Sequence, residues 1–238
     1  RSHPLKICQL SSDYFPNSGG IAAHVDGLTA ALAAAGHSVT VVVPSSGRNL
    51  MRPRYRVEHR GAVRVIRTHA WMPPRAGAHT LQARQLRIVQ DVLSNEQFDI
   101  VHWHTPIGDP ELARSIPARA KVFTNHTSQF LEWALGQRVM PEAYEAVRGA
   151  DVVLCPSTEL ADASMRAGVL RERVAFISNG VDPQRFSPAI HGNETRRALG
   201  ISPSEFVVLC PRRLDKKNGV TYWLRAIPNV RLAVSSAR

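Results

Sequence analysis

KICQLSSDYFPNSGGIAAHVDGLTAALAAAGHSVTVVVP, residues 6–44, reads as strand, turn, helix and strand in succession. After the paired glycines, Ile21, Val25, Leu28 and Leu32 recur at spacings of four, three and four, lining one stripe of a helix over 20–35. Gly36 ends that helix, because a residue without a β-carbon tolerates left-handed geometry. The strand at 38–44 begins almost at once and is nearly continuously apolar, the pattern of a strand covered on both faces. Two strands joined by such a helix lie parallel, with a right-handed crossover.

The same alternation runs along the chain. Strands are expected at 6–12, 38–44, 63–70, 99–104, 121–127, 151–157, 174–178 and 206–211, and helices at 20–35, 81–94, 110–116, 130–149, 159–167 and 219–227. The pattern predicts an α/β fold: a Rossmann-like, doubly wound parallel sheet with helices on both faces. After Val181 the run DPQRFSPAIHGNETRRALGISPSE is polar and rich in Pro and Gly, and reads as a linker. The expected organisation is a first domain over 1–182, a linker over 183–203 and the truncated start of a second domain over 204–238. VRLAV (230–234) is a candidate second strand of that last segment. A segment of about 40 residues is near the lower limit for a self-supporting core, so it is not expected to fold alone.

The 238 residues are 44% apolar and carry a formal charge of +11, mostly arginine. That charge favours acidic partners such as phosphates. The densest basic stretch (Arg48, Arg52, Arg54, Arg56, Arg60, Arg64, Arg67) has only Tyr55 as a stacking residue and matches no nucleic-acid module, so no nucleic-acid partner is expected. A solvated face is one reading of it, and an acidic acceptor or peripheral contact with an anionic membrane is the other. No apolar run approaches the ~18 residues of a spanning helix, and the start lacks secretory-signal order. A cytoplasmic protein, or one peripheral to the inner membrane face, is expected. Cys8, Cys155 and Cys210 are far apart, in apolar runs, and read as buried small hydrophobes rather than as a disulfide, a metal knuckle or a catalytic thiol.

Gly19 and Gly20 open the first helix, where missing β-carbons, free N–H groups and the positive dipole end suit a phosphate. A tight turn would use the same glycines. The dinucleotide fingerprint GxGxxG is absent, which disfavours a nicotinamide enzyme. FDIVHWHTP (98–106) and KVFTNHTSQF (121–130) place His104 and His126 beyond strand ends, where α/β sheets bind ligands and where each ring could hydrogen-bond a sugar hydroxyl or a phosphate. No metal is expected: His102 and His104 are read as facing opposite ways, with no carboxylate at a suitable spacing. GxSxG is absent too. In CPRRLDKKNG (210–219), Arg212, Arg213, Lys216 and Lys217 gather at a strand-to-helix turn, suited to a diphosphate or simply to solvent.

Five segments, FPNSGGIAAHVDGLTAALAAAGHSVTVV, FDIVHWHTP, ADVVLCPSTELADASMRAG, VAFISNGVDPQRFSP and FVVLCPRRLDKKNG, resemble in content and order the retaining glycosyltransferases of family four, which have the GT-B fold. The resemblance implies that Gly20 approaches the donor phosphate and that His126 lies beside the transferred sugar. It also implies that Asn179 to Asp182, with Gly180 among them, precedes the interdomain crossing, and that Arg213 grips the diphosphate. Family members place a lysine immediately before the glycine, where this chain has Asn218, so Lys217 is the expected substitute. Relatives continue well beyond the length seen here, with a glutamate pair for the donor. The chain is therefore expected to be inactive alone and, once completed, to move a sugar from a nucleoside diphosphate sugar to a hydroxyl acceptor, with retention and without a metal cofactor. Two rivals share these features: a sugar-nucleotide epimerase of the same fold, and a non-catalytic acceptor-binding module.

Overall fold

The computed structural model describes residues 3–72, 77–105, 109–126, 128–136, 144, 147 and 149–238. The chain divides into two compact units, Arg1–Gly180 and Val181–Arg238.

The first unit contains β1 (Lys6–Leu10), α1 (Gly20–Ala34), β2 (Ser38–Gly47), β3 (Tyr55–Arg60), β4 (Val63–Trp71), α2 (Ala78–Val92) and β5 (Phe98–Trp103). It continues through α3 (Asp109–Ser115), β6 (Ala118–Thr124), α4 (Ser128–Ala134), β7 (Val152–Cys155), α5 (Thr158–Arg166) and β8 (Val174–Phe176). The sheet has eight strands in the order β3-β4-β2-β1-β5-β6-β7-β8, parallel except for the antiparallel β3–β4 pair. The order runs outward in both directions from β1, which makes β1 the topological switch point, and crevices beyond strand C-termini form there.

Alternation along the strands supplies both faces of the core. Val39, Val41, Val43, Val63 and Val65 pack with Val25 of α1. Cys8, Leu10, Val42 and Ile66 belong instead to a larger cluster with Val89 of α2, Trp103 and Phe123, the last two with rings stacked at 5.6 Å between centroids. Each large apolar side chain fully buried in this way contributes about 1.5–3 kcal/mol.

Several expectations are corrected. The Arg-rich stretch forms an edge strand, β3, whose largely exposed side chains leave no apolar alternation to read. Several of its charges are paired: Arg60 with Asp26 at 2.7 and 3.0 Å, and Arg67 of β4 with Glu58 at 2.6 Å. Arg64 meets Glu96 at 2.7 Å and Arg54 meets Asp91 at 2.9 Å. The fully buried stripe of α1 is Ala22, Val25 and Thr29, flanked by the partly buried Ile21 and Leu32. The stripe is rotated from the expected one, with Ala22 and Thr29 buried beside Val25. Most of the helix expected at 130–149 lies outside the described residues.

The second unit, described by itself, holds α6 (Asn193–Ala198) and α7 (Val220–Ala233). The strand expected at 206–211 is reduced to a single bridge between Phe206 and Ala237, and VRLAV is almost entirely the end of α7 rather than a strand. A strand exists only against a neighbour that accepts its hydrogen bonds. Large apolar side chains such as Leu209, Leu214 and Leu232 are exposed, and Ala237 is the buried apolar residue among the described ones of this unit. Cys210 is only half-buried, whereas Cys8 and Cys155 are buried. Burial pushes the Cys8 thiol up to about 12, an inert group at neutral pH.

Candidate functional site

The loop after β1 carries the chain to Gly19 and into α1, whose start has no side-chain cap. The two glycines differ. A β-carbon on Gly19 would lie 2.5 Å from Asp13 Oδ2, so the carboxylate occupies the space that a side chain would need. Asp13 is itself held, its Oδ1 accepting from Asn17 Nδ2 at 3.1 Å. A β-carbon on Gly20 would meet nothing within 4 Å. Gly19 is therefore required by the turn, and Gly20 leaves an open approach to the free N–H groups of the helix start.

One helical turn beyond Gly20, on the same side of α1, stands His24, which no sequence motif singled out. It meets two histidines delivered by the sheet. Pairing in register puts Leu10 of β1 opposite Trp103 of β5, and Trp103 opposite Phe123 of β6. The residues that follow these strands, including His104 and His126, consequently emerge side by side. His24 and His126 have ring centroids 4.5 Å apart, and His24 and His104 5.6 Å. Asn179, in the segment after β8, hydrogen-bonds the His24 ring through its side chain. Gly180, next to it, is exposed with open space at its α-carbon.

A hydrogen-bonded chain orders the rings. Gln9 of β1, buried, accepts from His104 Nε2 at 2.7 Å. With the proton on Nε2, His104 Nδ1 is an acceptor, and His126 Nε2 donates to it at 3.2 Å. Nδ1 of His126 is then the acceptor left on that ring. His102 is part of the same group: its ring centroid lies 4.2 Å from that of His104, and its Nε2 pairs with Thr124 Oγ1 at 2.7 Å. The expectation that these two histidines diverge is wrong, since residues two apart on a strand share a face.

All four imidazoles are held neutral. Burial pushes His102 down to about 3 and His126 to about 4, helped by their neighbouring histidines, and takes His104 well below its ordinary value. Burial also lowers His24, opposed by its Asn179 bond. The cluster is thus a set of uncharged donors and acceptors, suited to hydroxyl groups rather than to phosphate charge. Asp109, at the start of α3, is buried as well. Burial raises its carboxyl to about 7 against hydrogen bonds from Thr105 and the Ser12 backbone.

The basic turn belongs to the second unit. Asn218, in the place of the expected lysine, closes the turn: its Nδ2 donates to the Arg213 carbonyl at 3.0 Å, and its Oδ1 accepts from Arg212 at 3.4 Å. Arg213 is exposed, Gly219 takes a φ of 68° and α7 follows. The Lys217 side chain lies outside the described residues. The first unit thus gathers Gly19, Gly20, His104, His126, Asn179 and Gly180 around α1 and the strand ends, while Arg213 and Lys217 stand in the second.

Among the described residues no helix is long and apolar enough to cross a membrane. The chain is similar to a phosphatidylinositol N-acetylglucosaminyltransferase subunit from Homo sapiens, 26% identical over 197 residues, covering 79% of this chain and 39% of that protein. It spans well under two thirds of that relative. Its fold is similar to sucrose-phosphate synthase from Thermosynechococcus elongatus, with a TM-score of 0.72 at 18% identity over 94% of this chain and 60% of that one. It is also similar to Anabaena Alr3699/HepE in complex with UDP and glucose, with a TM-score of 0.62 at 18% identity over 98% and 59% of the two chains. These likenesses show that the chain shares its α/β fold with those two proteins. Residues 18–185, which contain the helix start, all four histidines and Asn179, match the model of Glycosyltransferase Family 4, and the chain belongs to that family.

Proposed function

We propose that this chain is the acceptor-side part of an enzyme that transfers a sugar from a nucleoside diphosphate sugar to a hydroxyl acceptor, with retention at the anomeric carbon. The observation that carries this reading is the convergence at the sheet's switch point. An open helix N-terminus at Gly20 stands one turn from neutral His24, which packs against His104 and His126. The helix end suits a phosphate, and the imidazoles suit the hydroxyls of the sugar attached to it. Family membership supports the reaction class, and the UDP and glucose of the Anabaena neighbour support the donor class.

In this reading Arg213 and Lys217 stabilise charge developing on the leaving diphosphate, so no metal is needed to hold it. The departing phosphate oxygen takes the acceptor proton, and no side-chain base is required. His126 contributes a hydrogen bond to the sugar from its outward edge, its position set by His104 and Gln9.

The test joins this chain to the donor half of a family relative and supplies nucleoside diphosphate sugars with and without hydroxyl acceptors. Acceptor-dependent release of nucleoside diphosphate, with a product of the donor's anomeric configuration, is expected. The 238 residues span 39% of the human relative, so turnover by these residues alone is not expected, since transfer needs the reacting groups held together. Epimerised donor formed without an acceptor would reject transfer in favour of isomerisation.

A further inference from the structure

Ser45 of β2 pairs in register with His69 of β4, and Arg56 of β3 with Arg67 of β4. Alternation puts these four side chains on one face of the sheet, toward the C-terminal ends of β2 and β4. Together with Arg52 they line a cavity of about 120 Å³, to which none of the four clustered histidines contributes. We propose that this cavity is a phosphate-binding site, taking the phosphoryl group of a free phosphate ion or of a phosphomonoester.

Three observations carry it. First, the charge is unbalanced. Arg67 is fixed by Glu58 at 2.6 Å through Nε and by the Phe15 carbonyl through Nη2, which leaves Nη1. Arg56 shares the same carboxylate at 3.7 Å, and Arg52 meets no carboxylate among the described residues. Three guanidinium groups thus stand against one acid, a surplus that matches the charge of about −1.5 to −2 on a phosphomonoester near neutral pH. The guanidinium fork also fits phosphate oxygens in pairs. Second, His69 is only 7% exposed and its Nε2 has no hydrogen-bond partner. Ser45 Oγ donates its proton to the Thr68 carbonyl at 2.7 Å, so it can only accept from His69 Nδ1, 3.4 Å away. Nε2 is then the nitrogen left to share a proton with a phosphate oxygen, which would satisfy it as buried polar atoms normally are. A β-carbon on Gly47 would stand 3.2 Å from Cε1 of the same ring, so the glycine keeps that edge uncrowded. Third, the cavity is well below the ~300 Å³ at which pockets for whole organic ligands begin, and it fits one small anionic group.

The proposal uses none of the residues assigned to sugar transfer and stands or falls without that reading. In the 238-residue chain, at low salt and near neutral pH, the imidazole resonances of His69 are followed by NMR as inorganic phosphate is added, their identity fixed by their loss in His69→Gln. A saturable shift is expected, with a dissociation constant of about 1 mM or tighter. Arg52→Gln and Arg56→Gln, both at exposed positions, should each weaken binding about fivefold, and the double variant about twentyfold. Gly20→Val, which closes the separate helix start, should leave the affinity unchanged. Glycerol 1-phosphate binding more tightly than inorganic phosphate assigns the site to a phosphomonoester, and equal or weaker binding assigns it to the free ion; glycerol should cause no shift. Should His69→Gln fail to fold, phosphate calorimetry of the wild-type chain and the two exposed arginine variants carries the same test. Absence of binding at about 20 mM phosphate would overturn the proposal. So would an affinity unchanged in the double arginine variant, or binding lost in a folded Gly20→Val chain.

Discussion

Replacing Gly19 and Gly20 separately by alanine divides the two roles that one glycine pair plays. At Gly20 the added β-carbon meets nothing within 4 Å, and the residue begins a 15-residue helix in ordinary geometry. Gly20→Ala should therefore stabilise the fold by about 0.5–1 kcal/mol through reduced unfolded-chain entropy. In a unit of this size that raises the melting temperature by about 1–4 °C. At Gly19 the β-carbon would stand 2.5 Å from Asp13 Oδ2, so the carboxylate must swing away and give up its 3.1 Å bond from Asn17. Gly19→Ala should cost about 1–2 kcal/mol, a fall of about 2–8 °C. Donor use should follow the opposite pattern. In the completed enzyme Gly20→Ala intrudes on the phosphate path and should raise the donor KM at least about tenfold, or 1.4 kcal/mol; the larger Gly20→Val should raise it further. The assays are thermal denaturation of the chain and donor-dependent kinetics of the completed enzyme. Wild-type donor KM and turnover in both Gly20 variants would refute the phosphate role. Loss of stability in Gly20→Ala would refute the assignment of Gly20 as open.

His126→Ala in the completed enzyme should lower turnover more than His104→Ala, whereas His104→Ala, which leaves the Gln9 carbonyl unsatisfied in the core, should lose about 1–3 kcal/mol of stability; equal turnover of His126→Ala and wild type would remove His126 from the site. Acid should destabilise the first unit: His102 and His126 fall to about 3 and about 4 in the fold, so the unfolded chain binds more protons below about pH 6.5, and stability is lost as pH drops through that window by up to about 1.4 kcal/mol per unit for each ring. Asp109 acts with the opposite sign, since its carboxyl is raised to about 7 and the folded state holds its proton between about pH 4 and 7. Asp109→Asn should therefore steepen the acid loss, which urea titrations at several pH values would measure; an unchanged slope would show that Asp109 is not held protonated. Finally, Arg213→Ala should slow the completed enzyme about a hundredfold, near 3 kcal/mol, with Lys217→Ala similar and Lys216→Ala near normal. Normal rates in all three would reject a diphosphate role for the turn.

Much of the architecture is written locally. The apolar runs at β2 and β5, the helix stripe around Val25 and the turn glycines each act within a few residues, so their signals survive in one dimension. For the same reason His104 and His126 were legible as residues that follow parallel strands. The edge strand β3 was not, because an exposed antiparallel strand needs no apolar alternation and is held by ladder bonds and pairs such as Arg67–Glu58. Nor was the failure of 206–211 to form a strand, since its apolar run fits a sheet that the second unit does not supply among the described residues.

The candidate site shows the same division. Sequence alone determined that glycines start α1 and that histidines follow β5 and β6. Only the tertiary structure separated Gly19 from Gly20, through the position of Asp13, and only it brought His24 and Asn179 together. Gln9 reaches His104 across 95 residues of chain. Local propensity acts over one or two turns of backbone, whereas burial, proton placement and the meeting of three imidazoles depend on which strands pair, and that is decided only when distant segments exclude water together.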